Sequence, residues 1–172
     1  MMREEPISLV AYDDAWPRRF QDERAELARV LSPWLAGPIE HIGSTAIPGL
    51  LAKPVIDIMA GVADLTSSGP ACAAAATLGY MYFPYCPDVM HWFCKPSPAH
   101  RTHHLHLVPV GSPLWADRIA FRDYLRSDPG AAAEYAALKT QLAAHYTFDR
   151  EAYTDGKSAF VAAVLERARA NK

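Results

Sequence analysis

Gly43, Pro48, Gly49 and Pro54 fall within twelve positions, a density that neither an uninterrupted helix nor a regular central strand accommodates. Immediately afterwards residues 55–62 read VIDIMAGV, an almost wholly apolar run of the kind a strand shows when both its faces are covered. Asp57 is the one acid in that run. An irregular elbow feeding a doubly covered strand calls for helices layered on a sheet, and an unpaired carboxylate there would be costly.

The flanking pattern agrees. A short strand or extended lead over residues 7–12 precedes a helix that starts near Trp16 and Pro17 and runs to Leu31, with Phe20, Leu27, Val30 and Leu31 as its apolar stripe. Pro33, Gly37 and Pro38 interrupt it before a strand at residues 39–42. Beyond the elbow, residues 71–78 form a short alanine-rich helix stopped by Gly79, a left-handed cap. Residues 80–83 and 89–94 are strands around a turn, 95–101 a loop and 103–110 a further strand. The rest is helical: Ser112 before Pro113 and Asp128 before Pro129 are N-caps, with a break at residues 146–149. The expected fold is α/β or α+β, a mixed sheet with packed helices and a helical C-terminal region, as one domain over residues 1–172.

A chain of 172 residues with 51% hydrophobic and 21% charged side chains buries a core without staples. Its 17 basic and 19 acidic residues give a formal charge of -2, which supplies no general attraction to a nucleic-acid backbone. Cys72, Cys86 and Cys94 form no CxxC pair, which favours reduced surroundings. The N-terminal MMREEPISLV does not read as a secretory signal and no apolar run reaches membrane-spanning length. A cytoplasmic protein with no membrane partner is expected.

The elbow and its strand carry the chemistry. Gly43 permits close approach of a ligand, and the backbone N–H groups and hydroxyls of Ser44 and Thr45 can hold phosphate oxygens. Asp57 offers a hard oxygen to Mg²⁺. The stretch is not a P-loop: the second glycine comes one place late, and Lys53 is followed by proline where a hydroxyl belongs. In residues 103–107, His104 and His106 share one strand face while His103, Leu105 and Leu107 take the other. Two imidazoles on one face can bind a transition metal, position phosphate or move protons. Adding His91 and Cys94 would make a closed zinc site. Arg118 and Arg122, four apart, share a helix face, as do Tyr153 and Lys157; Arg122 and Lys157 are candidates for anionic contacts. His41, two places before Gly43, can orient the elbow by hydrogen bonding.

The stretch Ile42-Gly43-Ser44-Thr45-Ala46-Ile47-Pro48-Gly49-Leu50, together with Lys53-Pro54-Val55-Ile56-Asp57-Ile58, closely resembles the GrpB family of the nucleotidyltransferase-like superfamily. The resemblance extends through Thr102-His103-His104-Leu105-His106-Leu107-Val108, Gly111-Ser112-Pro113-Leu114-Trp115, Phe121-Arg122-Asp123-Tyr124-Leu125, Tyr153 and Lys157. It implies a Gly-Ser turn for phosphate at Gly43 and Ser44 and a metal-binding acid at Asp57. The superfamily places a second carboxylate two residues beyond the first, where this chain has Met59, and a thioether is no substitute for Mg²⁺. Glu40, His104 and His106 are the candidates to replace it. A partial likeness to histidine-triad nucleotide hydrolases stops at Val108, where the third histidine would stand.

The expected function is metal-assisted nucleotidyl transfer or related phosphate-ester chemistry on a nucleotide or phosphorylated small molecule. Mg²⁺ is the leading ion, with Mn²⁺ and Zn²⁺ behind it, and Asp57, His104 and His106 are the catalytic group. The alternatives are a catalytically weak nucleotide- or phosphometabolite-binding regulatory module, and a structural or protein-interaction role.

Overall fold

The computed structural model describes residues 5–172. Helix α1 (Trp16–Leu31) buries Trp16, Phe20, Leu27 and Leu31, and Pro17 sits in its first turn, where its missing N–H leaves no bond unmade. Strand β1 (Leu35–Ile42) begins before Ile39, the expected start. Gly37 and Pro38 are tolerated there because β1 is an edge strand whose register with its neighbour shifts between Leu35 and Ile39. The extended lead over residues 7–12 forms no strand: Val10 makes an isolated bridge with Ala52, and the Ile7 N–H donates to the Thr147 carbonyl.

After the elbow come β2 (Ile56–Val62), helix α2 (Ala71–Ala76) and β3 (Met81–Phe83), followed by β4 (His91–Pro96) and β5 (Arg101–Pro109). Gly79 has φ +86°, the left-handed conformation expected of it. The five strands lie in the order β1-β2-β5-β4-β3. Only β2 and β5 run parallel; the other neighbouring pairs are antiparallel. The expected 95–101 loop is shorter than its prolines suggest, because β4 and β5 both run into it.

Period-two alternation divides the sheet into two differently used faces. Ile56, Ile58, Ala60, Leu105 and Leu107 pack with α1 and α2. Ile42, Met59, Trp92, Cys94 and Val108 face helix α3 (Pro113–Ser127) through Leu114, Trp115 and Ile119. Asp57, His104 and His106 project on this second face. Helices α4 (Pro129–His145), α5 (Arg150–Asp155) and α6 (Ser158–Ala170) complete the chain. The expected caps form: Ser112 accepts from the Trp115 N–H and Asp128 from the Ala131 N–H.

The elbow is clamped onto this helical layer. Ile47 and Leu50 pack with Leu125, Ala131, Tyr135 and Val164, and Ile47 is 1% exposed. Truncating such a side chain to alanine costs about 2–5 kcal/mol, so the loop that bears the candidate site is a packed element. No helix among the described residues is long and apolar enough to cross a membrane.

Candidate metal centre and the lysines beside it

β1 ends at Ile42, which is the cross-strand partner of Asp57. The chain reverses at Gly43 with φ +72°, and a Cβ at that position would lie 2.6 Å from Asp57 Oδ2. Conformation and contact both demand glycine, which brings the Ser44 turn against the carboxylate. Residues Ser44–Ala46 form one 3₁₀ turn. A second turn closes with the Leu50 N–H donating to the Ile47 carbonyl at 3.2 Å, with Pro48 and Gly49 (φ +79°) in its middle.

His41 holds this geometry from below. The Thr45 hydroxyl donates to the Val55 carbonyl at 3.0 Å, so it accepts from His41 Nε2–H at 2.9 Å. The imidazole stacks on Phe20 at 4.7 Å, and burial pushes its pKa down to about 4. A neutral ring with its proton on Nε2 therefore ties β1, the elbow and the start of β2 together. Thr45 is 1% exposed and its hydroxyl is committed to these bonds, so only its backbone remains available to an anion. Ser44 is half-buried beside Tyr135, whose phenol its side chain reaches.

The parallel register places Asp57 beside His104 and Met59 beside His106. Asp57 Oδ1 lies 2.9 Å from His104 Nδ1 and 3.5 Å from His106 Nε2. One donor atom from each residue falls within 4.8 Å of the others. Burial drives the Asp57 carboxyl upward, but the charge and hydrogen bond of His104, followed by those of His106, hold it well below the usual carboxylate range. Burial pushes His106 down to about 4 against the pull of Asp57. A carboxylate beside a neutral imidazole is the ligating state of such a site at neutral pH. His104 Nε2 is buried with no hydrogen-bond partner among the described residues, and the ring leans on Trp92 with centroids 5.1 Å apart.

The remaining sequence candidates divide clearly. Glu40, the candidate replacement for the missing acid, does not join the cluster: its Oε2 accepts from Arg122 Nη1 at 2.6 Å. Arg122 also donates to Asp123 Oδ1 at 2.8 Å and to the His41 carbonyl at 3.1 Å, so the expected phosphate ligand is a neutralised brace behind the elbow. Burial opposes the Arg122 charge, but the bonds to Asp123 and Glu40 raise its pKa. Met59 is fully buried. His91 Nε2–H donates to the Leu65 carbonyl at 3.0 Å, on the opposite face from Cys94, since their cross-strand partners are Leu107 and His104; the His91–Cys94 zinc arrangement is thereby excluded.

Lys157 lies within reach of the Asp57 charge, and it is not alone. Its Nζ sits 4.5 Å from the Tyr153 ring centroid, and Lys53 Nζ sits 4.9 Å from the same ring. Lys139 Nζ is 4.8 Å from the Tyr135 centroid and donates to the Leu51 carbonyl. Burial lowers all three: Lys157 to about 8 with repulsion from Lys53 added, Lys139 to about 7 with repulsion from Lys157 and Lys53 added, and Lys53 in the same direction with the charges of Arg150 and Arg101 added. Asp57 exerts the opposing attraction on Lys53 and Lys157. The charge of Arg118 bears on His106, Tyr135 and Lys157. Lys53, Lys139, Tyr135 and Arg118 were absent from the sequence-based site. The four-residue spacing of the buried residues Ala131, Tyr135, Lys139 and Ala143 is the signal that would have placed Lys139 on the inner face of α4.

The family model described as GrpB protein matches residues 6–167. The chain belongs to the GrpB family. A UPF0157 protein of Pseudomonas aeruginosa is 41% identical over 168 residues, covering 94% of this chain and 67% of the relative. A UPF0157 protein of Deinococcus radiodurans is 39% identical over 165 residues, with 95% and 84% covered. The crystal structure of the conserved protein GrpB from Enterococcus faecalis superposes with a TM-score of 0.84 at 31% identity, over 94% of this chain and 96% of that one. A dephospho-CoA kinase of Mycolicibacterium paratuberculosis is 28% identical over 188 residues, a match that covers 95% of this chain and 46% of that protein. The GLD-2/RNP-8 complex structure shares the fold, with a TM-score of 0.56 at 16% identity over 91% of this chain and 60% of that one.

Proposed function

We propose that this GrpB-family chain binds a divalent ion at Asp57, His104 and His106 and uses it to handle a phosphate ester, with nucleotidyl transfer as the reaction class. The observation that carries this reading is the convergence of one carboxylate oxygen and two imidazole nitrogens beside the Gly43-Ser44 turn. Two nitrogen donors suit Mn²⁺ or Zn²⁺ better than Mg²⁺, which prefers an all-oxygen shell. When bound, such an ion polarises a phosphoryl oxygen and offsets charge that grows in the transition state. Asp57 and the two imidazoles hold the cluster together; as ligands, the imidazoles do not also accept the acceptor's proton. The Ser44 hydroxyl and the turn amides orient phosphate oxygens, and Lys157 neutralises charge on the open side.

A second reading, a binding or regulatory module with little turnover, draws its support from Met59, which occupies the position of a second carboxylate with a fully buried thioether. The relative named dephospho-CoA kinase is in keeping with a phosphate ligand for either reading, but this chain matches less than half of it, so its activity is not carried over. The two readings separate in a turnover assay with nucleoside triphosphates and Mn²⁺, Zn²⁺ or Mg²⁺ supplied singly. Metal-dependent product formation that disappears in Asp57→Asn supports the enzyme. Nucleotide binding without product for any ion supports the module.

A further inference from the structure

Lys53, Lys139 and Lys157 reach one place from three separate parts of the chain: the loop before β2, the middle of α4, and the turn between α5 and α6. Lys53 and Lys157 share the ring of Tyr153, which is 1% exposed, and Lys139 rests on that of Tyr135, which is 6% exposed. Among the described residues neither Lys53 nor Lys157 forms an ion pair with a carboxylate. The acid whose charge reaches both is Asp57, and that carboxylate is already shared by two imidazoles. Arg118 adds a fourth positive charge toward Lys157 and Tyr135.

Like charges gathered at partly buried positions oppose folding. Cation–ring contacts recover only part of that cost. Elsewhere this chain neutralises its enclosed cations within itself: Lys95 pairs with Glu23, and Arg122 with Glu40 and Asp123. A cluster that lacks such partners, continuous through Tyr135 with Ser44, is suited to an anion supplied from outside. One phosphate monoester carries too little charge to answer Lys53, Lys157 and Arg118 together. A condensed phosphate carries enough and is long enough to touch cations placed around two rings.

We infer that Lys53, Lys139, Lys157 and Arg118, with Tyr135, Tyr153 and Ser44, form a cradle for a condensed phosphate, either free or as the tail of a nucleoside di- or triphosphate. This deepens the phosphate-ester reading by naming the ligand's charged part, and it requires no metal. Lys53 and Lys157 contact the anion, whereas Lys139, held by the Leu51 carbonyl, contributes charge from behind Tyr135. An anion in the cradle favours the charged lysine forms, so binding takes up protons at pH 8.

The test is calorimetric titration of the full chain, with chelator present, using inorganic phosphate, pyrophosphate, tripolyphosphate, AMP and ATP in two buffers of different ionisation enthalpy. The expected result is that pyrophosphate or tripolyphosphate binds at least about tenfold more tightly than phosphate, with net proton uptake. Lys157→Met and Lys53→Met each weaken it by about tenfold or more, while Lys157→Arg restores most of the affinity and Arg24→Met, an exposed charge-matched change on α1, has no effect. ATP tighter than tripolyphosphate assigns the cradle to a nucleotide tail, and the reverse order to a free condensed phosphate. Equal binding of phosphate and pyrophosphate, or unchanged binding in folded Lys157→Met and Lys53→Met, overturns the cradle. Metal titration of the same protein without anion is read separately, so a chain that binds pyrophosphate but no ion keeps the cradle and loses the metal centre.

Discussion

Two sets of basic side chains border the elbow, and they differ in how their charge is answered. Arg122 is enclosed by Glu40, Asp123 and the His41 carbonyl, and Arg126 donates to the Ala46 carbonyl; these side chains fasten the elbow to α3. Lys53, Lys139 and Lys157 are set against aromatic rings with no carboxylate bonded to them among the described residues. The first set is complete within the chain and stabilises it. The second is incomplete, and the missing charge belongs to a ligand. A basic residue near a loop is therefore no guide to phosphate binding until its counter-ion is known.

The comparison breaks first at Glu40. Glu40→Ala leaves an enclosed guanidinium with one carboxylate fewer, and a loss of about 2–3 kcal/mol in chemical denaturation is expected. A loss no larger than that of an ordinary surface substitution would remove the distinction between the two sets.

Lys139 gives the opposite sign. Its pKa falls from the ordinary lysine value to about 7 in the folded chain, so between about pH 7 and 10 the unfolded chain binds more protons and stability rises with pH. Denaturation at pH 7 and pH 9 should show the ligand-free protein more stable at the higher pH, by on the order of 1 kcal/mol. In Lys139→Met that rise should shrink and stability at pH 7 should increase. A flat profile in the parent chain, or a fall in stability on substitution, would contradict the picture of an unanswered buried charge.

An effect of similar size is expected at the brace beneath the elbow. Thr45→Val removes the hydroxyl that joins His41 to Val55 and should cost about 1–2 kcal/mol. His41 is neutral because burial takes it to about 4. The unfolded chain binds its proton more readily as pH falls from about 6.5 toward 4, and stability drops through that window. His41→Phe, which keeps the stack on Phe20, should make this acid-side decline shallower.

Much of this was legible in the chain. The helix caps at Ser112 and Asp128, the left-handed stop at Gly79 and the doubly covered strand around Asp57 each follow from local chemistry, and the structure bears them out. Alternation in β5 placed His104 and His106 on one face, and the parallel register set Asp57 beside them. The pairing of Glu40 with Arg122 was not legible, because sequence spacing reveals a side chain's face but not whether another side chain already holds it. A lysine such as Lys139 within a helix is by default a solvated position. Only the packing of α4 over the elbow turns it inward. β1 was drawn too short because Gly37 and Pro38 break a strand in the interior of a sheet but not at its edge.

The most direct measurement of the central claim is titration of the metal-free chain with Zn²⁺ and Mn²⁺, with stoichiometry read by native mass spectrometry and affinity by calorimetry. One ion per chain is predicted, with affinity reduced by about 100-fold or more in both Asp57→Asn and His106→Ala and Mg²⁺ the weakest of the three. Failure to take up any ion, or undiminished uptake in both folded variants, would contradict a metal centre at Asp57, His104 and His106.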